Sequence, residues 1–153
     1  MKSDKKILAT NSKALFSYTV VDKYEAGIVL AGHEVKSVRG GHASMLGSYI
    51  SIDQNLEMKL VNLHISKYEK ASTLQEYKPT KDRKLLMKKN EILKIKNTLA
   101  QKGLTLIPIS LYSKGAFIKV EVGVCRGKKK TDKKEVLKKR DQDRDMERYF
   151  KFE

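Results

Sequence analysis

The chain is predicted to be mainly β, a small closed antiparallel barrel of six strands with two or three α-helices and a basic C-terminal tail. Three observations lead there. Paired runs rich in β-branched and aromatic residues flank turn-forming residues three times along the chain, the pattern of hairpins. Helical spacing is confined to a few segments and never alternates with strands in the manner of a parallel sheet. Closing such strands on themselves removes the exposed edges that an open sheet would carry. Oligonucleotide-binding barrels are built this way, as are other six-stranded barrels.

Residues 1–14 are polar and basic and are expected to be an extended lead-in. Phe16 to Val21 and Ala26 to Leu30 flank Asp22-Lys23-Tyr24-Glu25, predicting the first hairpin, with Glu25 in its turn. Gly32 to Gly41 reads as a short helix closed by a glycine pair with a left-handed cap. Val35 and Val38 share one side of it and Lys36 and Arg39 the adjacent side. Ser48 to Asp53 and Glu57 to His64 predict a second hairpin around Asp53-Gln54-Asn55. Residues 66–83 show no periodicity and are expected to be a long exposed loop. Lys84 to Lys102 predicts a helix with Leu85, Ile92, Ile95 and Leu99 on one stripe, with a break near Lys89-Asn90 where Asn90 favours a helix start. Leu104 to Tyr112 and Ala116 to Val124 predict a third hairpin across Ser113-Lys114-Gly115, and Pro108 demotes the first of these strands towards an edge or a bulge. Residues 1–125 are expected to be the barrel domain and 126–153 the tail.

The chain has 153 residues, enough for one domain with a core. Its net charge is +15 and its pI about 9.8. The excess is not confined to the tail, since residues 1–125 carry 21 basic against 11 acidic side chains. A phosphate backbone or an anionic membrane suits that balance. No apolar run approaches the roughly 18 residues needed to span a bilayer, and no stretch resembles a signal peptide, so a cytoplasmic protein without a membrane partner is expected. Cys125 is the single cysteine and is expected to be a small buried hydrophobe. The segment from Gly123 to Arg140 holds nine Lys or Arg against Asp132 and Glu135. Too polar to offset the entropy of ordering itself, it is expected to be disordered until a polyanion neutralises it. That tail points to nucleic acid.

An enzyme is poorly supported. His33, His42 and His64 lack metal-ligand spacing, and the glycines match neither a phosphate-binding loop nor a dinucleotide fingerprint. No catalytic residue, metal or cofactor is expected. Phe16, Tyr18, Tyr24, Tyr49 and Phe117 are interleaved with β-branched residues and are assigned to the core rather than to a base-stacking platform. Structured RNA gripped through phosphates and shape therefore fits better than single-strand readout. From its turn alone, Glu25 reads first as a surface carboxylate near Lys23, worth little, and otherwise as an acceptor for a base edge or a group orienting a neighbouring Lys.

Six segments in order carry a specific resemblance: Asn11-Ser12-Lys13-Ala14, Tyr24 to Leu30 (YEAGIVL), Gly32 to Arg39 (GHEVKSVR), Arg83-Lys84-Leu85-Leu86, Pro108 to Tyr112 (PISLY) and Gly127 to Lys133 (GKKKTDK). Together they resemble the small protein B (SmpB) family, the SsrA-binding proteins of bacterial trans-translation. The match runs from about Asn11 to Arg148, and its specific part is EAGIVL followed by EVKSVR. The resemblance implies an oligonucleotide-binding barrel that holds the tRNA-like domain of transfer-messenger RNA. It implies a tail, helical on the ribosome, that enters the decoding region and mRNA channel of a stalled ribosome. It further implies delivery with elongation factor Tu, tagging of the nascent peptide for degradation, release of the ribosome, and no bond made or broken by this protein. A monomer is expected.

Matched motif by motif, Asn11, Lys13, Glu25, Lys36 and Arg39 would form the RNA-contacting side. Arg83, Lys84, Leu86 and neighbouring Lys88 would form a second RNA-facing cluster. Lys128, Lys129, Lys130, Asp132, Lys133 and Lys134 would be the tail segment that engages the ribosome. This chain departs from the family pattern at Thr131, where an aromatic or histidine is expected, at Lys134 in place of arginine, and at Lys88 in place of asparagine or histidine. The rival reading is a ribosomal or ribosome-assembly protein bound to ribosomal RNA.

Overall fold

The computed structural model describes residues 5–68, 76–101 and 103–128. In chain order its elements are β1 (Lys5–Thr10), α1 (Ser12–Ser17), β2 (Tyr18–Ile28), α2 (Gly32–Arg39), β3 (Ala43–Ser44), β4 (Tyr49–Ile52), β5 (Met58–Val61), β6 (His64–Ile65), β7 (Arg83–Leu86), α3 (Lys89–Leu99), β8 (Leu104–Lys114) and β9 (Phe117–Gly127). Seven strands make one antiparallel sheet in the order β1-β8-β9-β2-β7-β5-β4, and β3 pairs with β6 apart from it. The sheet curls until β4 lies against β8, yet no ladder joins its two ends among the described residues. The expectation of six strands in three hairpins is corrected to this seven-stranded sheet, and a closed ladder is not found.

Two hairpins form as expected. In the turn between β4 and β5, the Asp53 carboxylate accepts from the backbone N–H groups of Asn55 and Glu57. Between β8 and β9, Gly115 takes the positive φ of 60° that the turn requires. Pro108 sits at a bulge in the β8–β9 ladder, where its missing N–H leaves no donor unpaired.

The first expected hairpin does not form. Residues 22–25 are not a turn but the middle of β2, each paired with β9 in a ladder from Tyr18↔Gly127 to Gly27↔Lys119. Their polarity, which suggests a turn, reflects a solvent-facing strand bent by a bulge between Val20 and Asp22. Two other segments also differ. The extended lead-in becomes β1, paired with β8, followed by the short helix α1. The expected helix from Lys84 is strand up to Leu86, because Arg83 and Leu85 point inward while Lys84 and Leu86 point out. Helix α3 starts at Lys89, where the sequence suggested a break, and buries Ile92 and Ile95.

The core lies between the inner face of the sheet, α2 and α3, and includes Val38, Met58, Leu60, Leu63, Leu85, Ile95, Leu111, Val120 and Val122. Cys125 is buried, and burial raises its thiol pKa. Tyr49 and Phe117, assigned to the core by sequence, are exposed. Each occupies an outward position of a strand whose neighbours point in. Among the described residues no helix is long and apolar enough to cross a membrane.

Candidate nucleic-acid interface

Strand alternation builds the site. On β9, Ile118, Val120 and Val122 enter the core, so Phe117, Lys119 and Glu121 face outward. The ladders set Glu25 of β2 directly opposite Glu121, Gly27 opposite Lys119, and Lys114 of β8 opposite Phe117. Like charges directly opposite destabilise a strand pair, and here each carboxylate has its own compensation. Glu25 accepts from the Tyr112 hydroxyl at 2.5 Å and pairs with Lys114 at 3.6 Å. Glu121 pairs with Lys23 at 3.5 Å and accepts from the Ser110 hydroxyl at 3.2 Å. The Tyr112 hydrogen bond, helped by Lys114 and Lys119 and opposed by partial burial, lowers the Glu25 pKa. Burial and that same carboxylate push the Tyr112 hydroxyl up, so it stays a donor. Glu25 is thus an ionised acceptor whose side chain is 42% exposed.

Beside it, β7 pairs with β2 through Gly27↔Leu86. The result is a shallow depression lined by Glu25, Gly27, Leu86, Lys88, Glu91 and Lys119. Lys84 is exposed on the same strand as Leu86 and lies across from exposed Lys59. Helix α2 reaches this surface from the hairpin end, where the Arg39 guanidinium donates to the Gly115 carbonyl at 3.4 Å. Lys36 is exposed on the same helix, with its ammonium 5.7 Å from the Tyr68 ring centroid. Three of the sequence-assigned residues, Glu25, Leu86 and Lys88, therefore line one depression. Arg39 braces its neighbouring hairpin, and Lys84 flanks Leu86.

Arg83 is elsewhere. Its guanidinium is buried, donating from Nε and Nη2 to Glu34 Oε2 at 2.9 and 2.7 Å. Its other donors go to the carbonyls of Leu63, Lys81 and Pro79 and to the Tyr77 hydroxyl. Assigned by resemblance to the RNA-facing cluster, it is placed instead as an internal strut between β7 and α2. Glu34 also accepts from the Ala31 N–H at 3.0 Å, capping α2, and from Tyr77. Burial opposes its ionisation, but the Ala31, Arg83 and Tyr77 hydrogen bonds prevail and lower its pKa. Part of the expected free loop is therefore pinned, at Tyr77, Pro79 and Lys81.

Asn11 and Lys13 lie apart from the depression. Asn11 is buried, caps α1 through Ala14 and donates to the Pro108 carbonyl at 2.9 Å. With exposed Lys13 it lines a separate cleft that includes Tyr18, Ser48, Tyr49, Thr105 and Lys128. Lys128 docks on the end of α1, its N–H on the Ser17 carbonyl at 2.9 Å and its ammonium on the Leu15 carbonyl at 3.0 Å. Lys129, Lys130, Asp132, Lys133 and Lys134 lie outside the described residues.

The family model described as "SmpB protein" matches residues 8–152. The chain belongs to the SmpB family. A relative named SsrA-binding protein from Microcystis aeruginosa (strain NIES-843 / IAM M-2473) is 44% identical over 146 residues, covering 95% of this chain and 94% of its own. Another with that name, from Carboxydothermus hydrogenoformans, is 46% identical over 143 residues, covering 94% and 95% respectively. A solved structure described as "tmRNA-SmpB: a journey to the center of the bacterial ribosome" aligns with a TM-score of 0.61 at 39% identity, covering 80% of this chain and 88% of that one.

Within this SmpB fold, motif matching missed Tyr112, Lys114 and Lys119, which lower the Glu25 pKa, the last of them also lining the depression. Strict alternation over Phe117 to Val122 was the signal that could have placed Phe117 and Lys119 outward.

Proposed function

We propose that this chain binds the tRNA-like domain of transfer-messenger RNA and carries it to stalled ribosomes, acting as a non-enzymatic adaptor of trans-translation in the cytoplasm. The observation that supports this most is the outer face of β8, β9, β2 and β7. There an ionised Glu25 is held ready as an acceptor beside Leu86, Lys88, Lys114 and Lys119, with Lys84 exposed on the strand of Leu86, Arg39 at the adjoining turn and Lys36 exposed on the same helix as Arg39. Cations at the rim neutralise phosphates, while the central carboxylate accepts from a base edge or a ribose hydroxyl. Family membership names the RNA. The curled sheet is an oligonucleotide-binding type of barrel in this reading, spanning residues 1–125. Asn11 holds α1 in place beneath Lys13, which adds a second phosphate contact in the neighbouring cleft. Residues 126–153, with Lys128, Lys129, Lys130, Asp132, Lys133 and Lys134, occupy the decoding region and mRNA channel. The protein acts as a monomer alongside elongation factor Tu, and the nascent peptide is tagged for degradation as the ribosome is released.

The test is to sequence the RNA that stays bound to the chain, pulled from native cytosol at moderate salt. Enrichment of one tRNA-like RNA with an internal reading frame is expected. A spread of ribosomal RNA would overturn the reading in favour of a ribosome component.

A further inference from the structure

Phe117 is 68% exposed, the most exposed of the large hydrophobic residues described. Single exposed hydrophobics are ordinary on protein surfaces, so exposure alone means nothing. Its setting is what carries the inference. The ring stands at the start of β9, beside a turn braced from outside by Arg39 on the Gly115 carbonyl. Lys114 is its ladder partner, and the Lys119 ammonium lies 5.6 Å from its ring centroid. Lys119 is also a wall of the depression that holds Glu25, Leu86 and Lys88. Two lysines thus edge one solvent-facing aromatic ring, with Arg39 held at the adjoining turn. Both lysines reach the acceptor carboxylate: Lys114 pairs with Glu25 at 3.6 Å and Lys119 shares its depression. Neither a protein core nor an apolar partner calls for that arrangement. An aromatic face edged by cations matches a nucleobase with phosphates on either side.

We propose that Phe117 is a base-stacking residue of the RNA interface, receiving an unpaired base of the bound tRNA-like RNA while Lys114, Lys119 and Arg39 meet the adjoining phosphates. This rests on the proposed function and adds an unpaired-base subsite to it.

The test measures affinity for the tRNA-like domain over a salt series. Phe117→Ala is expected to weaken binding about tenfold or more, the usual scale of one lost stacking contact, without changing the salt slope. Lys119→Ala should instead flatten the slope by about one phosphate contact. Because the chain has no tryptophan, Phe117→Trp both restores the ring and installs a unique fluorophore. It should bind like the wild type, with its emission quenched at the binding midpoint. Wild-type affinity in Phe117→Ala, or unchanged Phe117→Trp emission at saturating RNA, overturns the stacking role while leaving the proposed function standing. A wild-type chain that does not bind the tRNA-like domain overturns the function itself.

Discussion

The α2–β7 junction and the outer face of β2 and β9 each hold a glutamate served by a tyrosine hydroxyl and a cation. Glu34 has Tyr77 and Arg83, and Glu25 has Tyr112 and Lys114. The chemistry is nearly the same, and burial separates the outcomes. The Glu34 and Arg83 side chains are each 1% exposed, so every oxygen and nitrogen must be matched inside the protein. Glu25 keeps 42% of its side chain in solvent, so its carboxylate retains capacity to accept from something else. One pair holds two elements together; the other leaves a carboxylate partly open to solvent.

The comparison breaks most readily at Arg83. Replacing it with methionine strands a buried carboxylate and is expected to cost about 3–5 kcal/mol, read from urea denaturation. A loss below about 1 kcal/mol would mean the strut is not one. Acid tests the same pair next. Because the folded Glu34 pKa lies below the ordinary 4.5, its stabilisation is complete above the unfolded value and fades as pH falls through the folded one. Stability should therefore drop below about pH 4.5, and Glu34→Gln should flatten that limb in denaturant titrations at successive pH values. Glu25→Ala should do the reverse of Arg83→Met, changing stability by less than about 1 kcal/mol while weakening RNA binding about tenfold, the scale of one hydrogen bond to a charged group. Unaltered affinity by filter binding would place the RNA elsewhere. The smallest expected effect is Lys23→Ala, which removes an exposed ion pair with Glu121 and should shift stability by under about 1 kcal/mol, seen as an almost unmoved melting temperature.

The same contrast explains what could be read from the sequence. Local signals were legible: the Asp53 turn, helix α2 with Val38 inward and Arg39 outward, and the irregularity at Pro108 depend on neighbours a few residues away. The placement of Glu25 was not legible, because it depends on the nine-pair ladder with β9, and a polar stretch in a half-exposed strand looks like a turn. Arg83 was misplaced for the same reason. An arginine next to Lys84 in a basic chain reads as a phosphate contact until Glu34, 49 positions away, comes against it. Phe117 was assigned to the core because it is interleaved with β-branched residues, whereas a strand's outward parity is set by the sheet it joins.

The facing carboxylates Glu25 and Glu121 have a further consequence for selectivity against competitors. A uniformly cationic surface attracts any polyanion, and a cell holds unrelated nucleic acid in great excess. Each carboxylate here is paired with a lysine, and Glu25 is the more exposed of the two, so a duplex laid straight across this face would bring phosphates beside carboxylates as well as cations. Only a fold whose backbone parts around those carboxylates, offering donors there instead, avoids the repulsion. Discrimination is a difference of affinities, and at the proposed interface these carboxylates would supply part of it by disfavouring the wrong occupant.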